Sequence, residues 1–142
     1  MKDNIKLLYS HYDPDSGISV VRIQTPEGMF KGKARVHPKD LNTASSYTGC
    51  RYAELRAYIK YYKFKARQYQ IAVKEMTNFY NQLKQNKDTP KKVIYWCEKR
   101  LNNLKELKKA HSNFALEIQK EITTSITERS KIIERINKAK IK

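Results

Sequence analysis

The pattern of apolar and polar positions changes near residue 50, from runs typical of strands to a long helical repeat. Three short runs, at 5–12, 18–25 and 29–36, are rich in β-branched and aromatic residues and predict strands. Proline and glycine signals at 13–17 and 25–28 mark the turns between them. In the third run apolar residues alternate with cations, which indicates a half-buried strand with a basic outer face.

Beyond residue 50 the apolar positions step by three and four residues, the repeat of a coiled-coil seam. Pro90 is the only helix breaker after Gly49, so we predict a first helix at 41–88 and a second at 90–140. The seam of the first helix is apolar or aromatic throughout: Tyr52, Leu55, Ile59, Tyr62, Ala66, Tyr69, Val73, Met76, Tyr80 and Leu83. The second seam contains four polar residues: Lys108, His111, Ser125 and Arg129.

These patterns predict an α+β fold, in which a three-stranded antiparallel β-meander at 1–40 precedes two long antiparallel helices in one domain, 1–142. The short connector makes the helices a coiled-coil hairpin. Residue types that favour helix N-caps predict the following caps: Asp40, Asn42 or Ser45 for the first helix, and Asp88 or Thr89 for the second.

Several apolar side chains fall outside the seam of this hairpin: Tyr58, Tyr61, Phe64, Ile126 and Ile133. An apolar stripe of that width needs a partner helix to cover it, which predicts an obligate homo-oligomer.

The charge is concentrated in the helical part. The chain of 142 residues has 30 Lys and Arg against 14 Asp and Glu, a net charge of +16, and most of the excess lies after residue 48. Such an excess predicts an anionic partner. Two cysteines give no disulfide framework, which favours a reducing, intracellular environment. We expect no membrane span and no secretory signal.

Nothing in the sequence assembles into a catalytic set. The three histidines, His11, His37 and His111, are scattered, and no cysteine or carboxylate lies at metal-ligand spacing from them. No Gly-rich phosphate-binding loop is present. The sequence therefore predicts a binding protein rather than an enzyme, without a metal or other cofactor.

Two groups of cations are candidate anion sites. Lys108 and Arg129 occupy seam positions, where an unpaired charge costs several kcal/mol. An anionic ligand would satisfy Arg129, with Ser125 one turn away. Register specification or snorkelling to water is the alternative. The second group, at the strand-to-helix junction, is either an anion site at a helix N-terminus or a solvated basic face: Arg35, His37, Arg51 and Arg56.

Aromatic residues are interleaved with cations between Tyr47 and Tyr80. Rings stack on nucleobases while cations neutralise phosphate, so the mixture suits a nucleotide or a single strand. The seam tyrosines are assigned to the core first. Four aromatic residues lie off the seam and either bind a ligand or contact another subunit: Tyr58, Tyr61, Phe64 and Phe79.

Four motifs also occur in a recognisable order. Gly-Met-Phe-Lys-Gly-Lys-Ala-Arg (28–35) precedes Gly-Cys-Arg-Tyr-Ala-Glu-Leu-Arg-Ala-Tyr-Ile-Lys-Tyr (49–61), and Asn-Phe-Tyr (78–80) and Ile-Thr-Glu-Arg (126–129) follow. In these motifs the chain resembles the first-described phage family of Thoeris anti-defence proteins over most of its length. The run at 49–61 is the most specific part.

The resemblance implies a non-enzymatic oligomer, a hexamer built from dimers. It would sequester the cyclic ADP-ribose signal of bacterial TIR-domain proteins, without degrading it, in the cytoplasm of the infected host. A second site for cyclic oligonucleotide signals of CBASS immunity is also implied, whereas nucleic acid is not an expected partner. The alternatives from other classes are a basic coiled-coil nucleic-acid-binding protein and a structural phage scaffold.

The resemblance also implies roles for individual residues. Phe79 or Tyr80 would stack on the adenine, and Arg129 would hold the phosphates. The family has an asparagine beside the connection between the helices, and Asn86 is the nearby asparagine in this sequence. Arg56 would belong to the cyclic oligonucleotide site. In an antiparallel hairpin Phe79 lies far from Arg129, so one pocket can hold both only at an interface between subunits.

Overall fold

The computed structural model describes residues 4–35 and 46–141. Within these ranges the chain forms three antiparallel strands followed by two long helices, which confirms the predicted α+β fold. The elements are β1 (Lys6–Asp13), β2 (Ile18–Thr25), β3 (Gly28–Arg35), α1 (Ser46–Gln85) and α2 (Lys91–Ile141). The strand bounds agree with the prediction to within one residue. The beginning of the predicted first helix, with its expected caps Asp40, Asn42 and Ser45, lies outside the described residues.

The chain forms two compact units. One, here called the sheet unit, consists of Met1–Tyr61 and Ala115–Lys142. The other, here called the hairpin unit, consists of Tyr62–Phe114. Among the described residues, no helix is both long enough and apolar enough to cross a membrane.

The sheet has the order β1-β2-β3, and one face of β2 and β3 is buried. Val21, Ile23 and Ala34 from that face form one apolar cluster with Ala53 and Ala57 of α1. The alternation predicted for the third strand is confirmed, since Phe30, Gly32 and Ala34 are buried or half-buried while the cations of the strand are exposed. Burial of apolar side chains on one face fixes the register of such a sheet.

Gly32 permits the close approach of α1 to this face. A Cβ atom at this position would lie 1.7 Å from the carbonyl oxygen of Ala53 and 2.6 Å from the amide nitrogen of Ala57. Both neighbours are helix backbone, which cannot move aside as a flexible side chain would. Small residues on both elements therefore bring a strand and a helix into backbone contact.

Tyr61 completes this contact and corrects one expectation from the sequence. The heptad pattern predicts that Tyr61 lies outside the seam, available to a ligand or to a partner subunit. Instead the side chain is fully buried, with its ring 5.5 Å from that of Phe30 in an edge-to-face arrangement. Because Ala53, Ala57 and Tyr61 recur every four residues, they form a second apolar face of α1, directed at the sheet.

In the hairpin unit the two helices run antiparallel. The Tyr80 hydroxyl donates to Glu98, and the rings of Tyr69 and His111 lie 5.1 Å apart. Residue numbers in contact therefore fall along α1 as they rise along α2. The predicted seam is confirmed here, because all of its positions between residues 62 and 111 are buried or half-buried. Farther along α2, Ile132 continues the three-and-four spacing of the second seam after Arg129, but it is 54% exposed.

The connection between the helices differs in detail from the prediction. Pro90 occupies the N-cap position of α2, where its carbonyl accepts from the amide of Ile94. Thr89 was a candidate cap for α2, but its hydroxyl donates backwards to the carbonyl of Leu83 at 2.8 Å and so satisfies the end of α1. The amide of Asp88 donates to the Asn86 side chain at 3.0 Å.

Candidate functional site

A groove lined by lysines lies within the hairpin unit. Its volume is about 550 Å³, within the ~300–1,000 Å³ range of small-ligand sites. The lining offers three ammonium groups, one hydroxyl, one amide and one apolar side chain: Lys105, Lys108, Lys109, Ser112, Gln70 and Val73. No carboxylate is among these residues, all of which the structure describes. We refer to this feature as the lysine groove.

Helix geometry explains why these side chains converge. Lys105, Lys108, Lys109 and Ser112 follow the spacing i, i+3, i+4 and i+7, which places them on one face of α2. Gln70 and Val73 stand three residues apart on α1, and the antiparallel register brings that turn opposite. The groove is therefore a product of helix pairing, and α2 supplies most of its polar groups.

Lys108 is the least exposed of the three cations. It is half-buried in the predicted seam, while Lys105 and Lys109 are exposed. Like charges on one helix face repel each other, and with no carboxylate among its lining residues the groove concentrates positive charge. An anion held among the three ammonium groups relieves that repulsion with charge-assisted hydrogen bonds.

Beside the groove lies a cluster of four rings, which we call the ring cluster: Tyr62, Tyr69, His111 and Phe114. The histidine is central, with centroids of the other three rings 5.1–6.0 Å away. Its Nδ1 donates to the carbonyl of Leu107 at 2.8 Å. This agrees with the assignment of the seam tyrosines to the core.

The residues expected near the adenine of an ADP-ribose signal differ in their contacts within the chain. Phe79 is 46% exposed. Tyr80 donates to Glu98, and the Nζ of Lys84 lies 4.9 Å from the centre of its ring. Asn86 uses its side-chain oxygen to hold the turn between the helices. Among these residues Phe79 has the greatest freedom to meet a ligand.

The predicted residues of this site do not all meet within one unit. Lys108 lines the groove beside Val73, which is seven residues, or about 10 Å, along α1 from Tyr80. Ser125 and Arg129 belong to the sheet unit, where both are half-buried. The sequence did not predict the other three groove residues on α2, which are Lys105, Lys109 and Ser112. Lysines occur along the whole helix, and only Lys108 occupies a seam position.

Two cations of the second predicted site, Arg56 and Arg51, have structural partners in the sheet unit. Arg56 donates from Nη1 to the carbonyl of Lys33 at 2.8 Å, which ties α1 to β3. Arg51 pairs with Glu54 one turn away, at 3.6 Å. Arg35 is exposed at the end of β3, and His37 lies outside the described residues.

The described part of the chain contains no cluster of three or more His, Cys, Asp or Glu residues that could hold a metal ion. Both cysteines are free, with Cys97 buried and Cys50 half-buried. Comparison with protein-family models, with curated proteins and with solved structures finds no match to this chain. The family assignment made from the motifs therefore stays a prediction.

Proposed function

We propose that this protein binds and sequesters a small cyclic nucleotide of the ADP-ribose type without altering it, as in the phage Thoeris anti-defence family that it resembles. The lysine groove is the observation that carries the proposal. Its volume suits one small nucleotide, and its three ammonium groups suit a diphosphate. The high net positive charge of the chain speeds capture of such an anion.

A sequestering protein needs tight binding rather than turnover. A nanomolar dissociation constant corresponds to about −12 kcal/mol. Each charge-assisted hydrogen bond contributes about 1.5–3 kcal/mol and one stacked base about 1–3 kcal/mol. Three lysines and one stacked ring approach that total if the site is preorganised.

The stacking ring comes from a second copy of the chain in this proposal. None of the groove's lining residues is aromatic. Phe79 is half exposed and meets the requirement for a ring that is free to stack. A pocket between subunits also allows Arg129, with Ser125 beside it, to reach the same ligand. The proposed assembly is a homo-oligomer, which by the resemblance is a hexamer built from dimers.

The resemblance extends the proposal to a second ligand and to a cellular setting. Cyclic oligonucleotide signals would bind in the sheet unit near Arg35, Arg51 and Arg56. Capture of either signal in the cytoplasm of an infected bacterium would keep the downstream immune effector inactive.

The proposal is tested by mixing the purified protein with a cyclic ADP-ribose isomer, filtering, and assaying the free ligand. We expect the ligand to be retained with the protein and recovered intact after heat denaturation. Recovery of a hydrolysed product, or no retention of any isomer, would contradict the proposal.

Two variants test the shared pocket. Phe79→Ala and Arg129→Glu are each expected to abolish retention while leaving the oligomer intact in sedimentation. Tyr95→Ala is the matched control, because this ring is also in the hairpin unit and is 65% exposed. Normal retention by both variants, or equal loss in the control, would refute the pocket.

The nucleic-acid-binding coiled coil is the second candidate, favoured by the net charge of +16. It predicts an affinity that grows with polymer length and a steep dependence on salt. Saturable binding of one small nucleotide, with a large rise in melting temperature, favours sequestration instead.

A further inference from the structure

The sheet has a second face, opposite to the buried one, whose side chains combine rings with cations. We call it the outer face. Six exposed residues define it: Tyr9, His11, Arg22, Lys31, Lys33 and Arg35. It lies in the sheet unit and shares no residue with the lysine groove.

The strand register places these residues side by side. Tyr9 of β1 pairs with Arg22 of β2, which in turn pairs with Lys31 of β3, so the three form one row across the sheet. His11 and Lys33 flank Val20 in the next row. Paired residues on neighbouring strands point to the same face, and rows on one face recur every two residues.

The rings and one cation of this face already contact each other. The guanidinium carbon of Arg22 lies 5.6 Å from the centre of the Tyr9 ring. The rings of Tyr9 and His11 are 6.2 Å apart and inclined by only 27°. Two nearly parallel rings and a guanidinium plane on an open sheet provide surfaces on which unpaired bases stack.

The cations on the same face are not neutralised by acids of the sheet. Lys31, Lys33 and Arg35 stand at every second position of β3, about 6.6–6.8 Å apart along the strand. The only carboxylate in the three strands is Asp13, at the end of β1. That carboxylate accepts from the Ser16 hydroxyl at 2.8 Å and from the Asp15 amide at 3.1 Å.

From this arrangement we infer that the outer face binds single-stranded nucleic acid. Bases stack on Tyr9, His11 and Arg22, and the row of cations on β3 neutralises the phosphates. Rings without cations would suit an apolar partner, and cations without rings would suit any polyanion. Their combination on one exposed face favours a strand whose bases are free, over a duplex or an acidic protein surface.

Fluorescence anisotropy with a labelled oligothymidylate of about twelve nucleotides tests this inference, using the whole chain of 142 residues at several salt concentrations. Tyr9→Leu removes a stacking ring but no charge, so we expect about tenfold weaker binding with an unchanged salt slope. Lys31→Gln with Lys33→Gln removes two phosphate contacts, so the logarithmic salt slope is expected to fall by about 1.4.

The matched control is Lys74→Gln with Lys120→Gln, which changes the net charge equally at two exposed positions that belong neither to the outer face nor to the lysine groove. This control is expected to leave the slope within about 0.3 of the wild-type value. An equal fall in the control slope, or full affinity in Tyr9→Leu, would overturn the inference. Tighter binding of the duplex than of the single strand would also overturn it.

This test is independent of the proposed sequestration. Lys105→Gln with Lys108→Gln is expected to weaken retention of a cyclic ADP-ribose isomer and to leave oligothymidylate binding unchanged. If the groove variant fails to retain the isomer and still binds the oligonucleotide, both proposals stand. If no isomer is retained by any form of the protein, the outer face is still judged by the anisotropy results alone.

Discussion

The two units of this chain use opposite means to hold a helix against its neighbour. In the sheet unit, Gly32, Ala53 and Ala57 have so little side chain that a strand and a helix meet through their backbones. In the hairpin unit, large rings and a half-buried lysine occupy the seam between the helices. Close contact leaves no space for a ligand, whereas the bulky, polar seam leaves an open groove.

This contrast predicts where substitutions act. Changes at the backbone contact should lower the free energy of unfolding and affect ligands only indirectly. Changes in the groove should alter ligand binding, and at its exposed lysines they should leave stability almost unchanged. The following predictions run from the largest expected effect to the smallest.

Gly32→Val is expected to destabilise the protein by about 3 kcal/mol or more, because its branched side chain would overlap the backbone of α1. Denaturant unfolding followed by circular dichroism measures the change. Lys31→Val is the matched control, since it introduces the same side chain at the neighbouring exposed position. A smaller loss for Gly32→Val than for Lys31→Val would contradict the close contact.

His111→Ala is expected to cost about 2 kcal/mol, because it removes the central ring of the ring cluster. Tyr95→Ala truncates an exposed ring of the same unit and should change stability by less than about 0.5 kcal/mol. Equal effects of the two changes in thermal unfolding would mean that the ring cluster does not stabilise the hairpin.

Lys108→Leu is expected to stabilise the free protein by about 1 kcal/mol, because a half-buried cation leaves the seam. The same variant should bind the nucleotide more weakly, because it removes one of the three cations of the groove. Lys105→Leu, at an exposed groove position, should change stability by less than about 0.5 kcal/mol. Destabilisation by Lys108→Leu would show that the cation is compensated within the free chain.

Asp13→Ala should have the smallest effect, and one that depends on pH. The hydrogen bond from Ser16, followed by that from the Asp15 amide, holds the pKa of the Asp13 carboxyl below its usual value. A carboxylate with a lowered pKa stabilises the folded state above its unfolded pKa, and this stabilisation is lost as the pH falls through the folded pKa. The difference in melting temperature between wild type and variant should therefore vanish in strong acid. A difference that grows on acidification would contradict this account.

The sequence predicted the strands and helices and one buried face of each. Period-two and heptad patterns predicted the strands and the seam, because the positions in these patterns are apolar in order to be buried on one face of the element. The second face of α1 was missed, since alanines such as Ala53 and Ala57 suit any helix position. The close approach of Gly32 to Ala53 and Ala57, and the edge-to-face contact of the Tyr61 ring with Phe30, show in the structure that this face of α1 is directed at the sheet.

The candidate site was anticipated only through Lys108, the one groove lysine at a position where an apolar residue was expected. Lys105, Lys109 and Ser112 carried no separate signal in a helix so rich in lysine. Their convergence with Gln70 depends on the register between the helices, which a single sequence does not specify.

The central claim is that the lysine groove holds a small cyclic nucleotide. Isothermal titration calorimetry of a cyclic ADP-ribose isomer tests it most directly, with wild type compared to Lys105→Gln/Lys108→Gln and to the charge-matched Lys74→Gln/Lys120→Gln. We predict saturable binding by wild type and control, and about a hundredfold weaker binding when the two groove lysines are neutralised. Equal affinity in all three proteins, or no binding by any of them, would contradict the account.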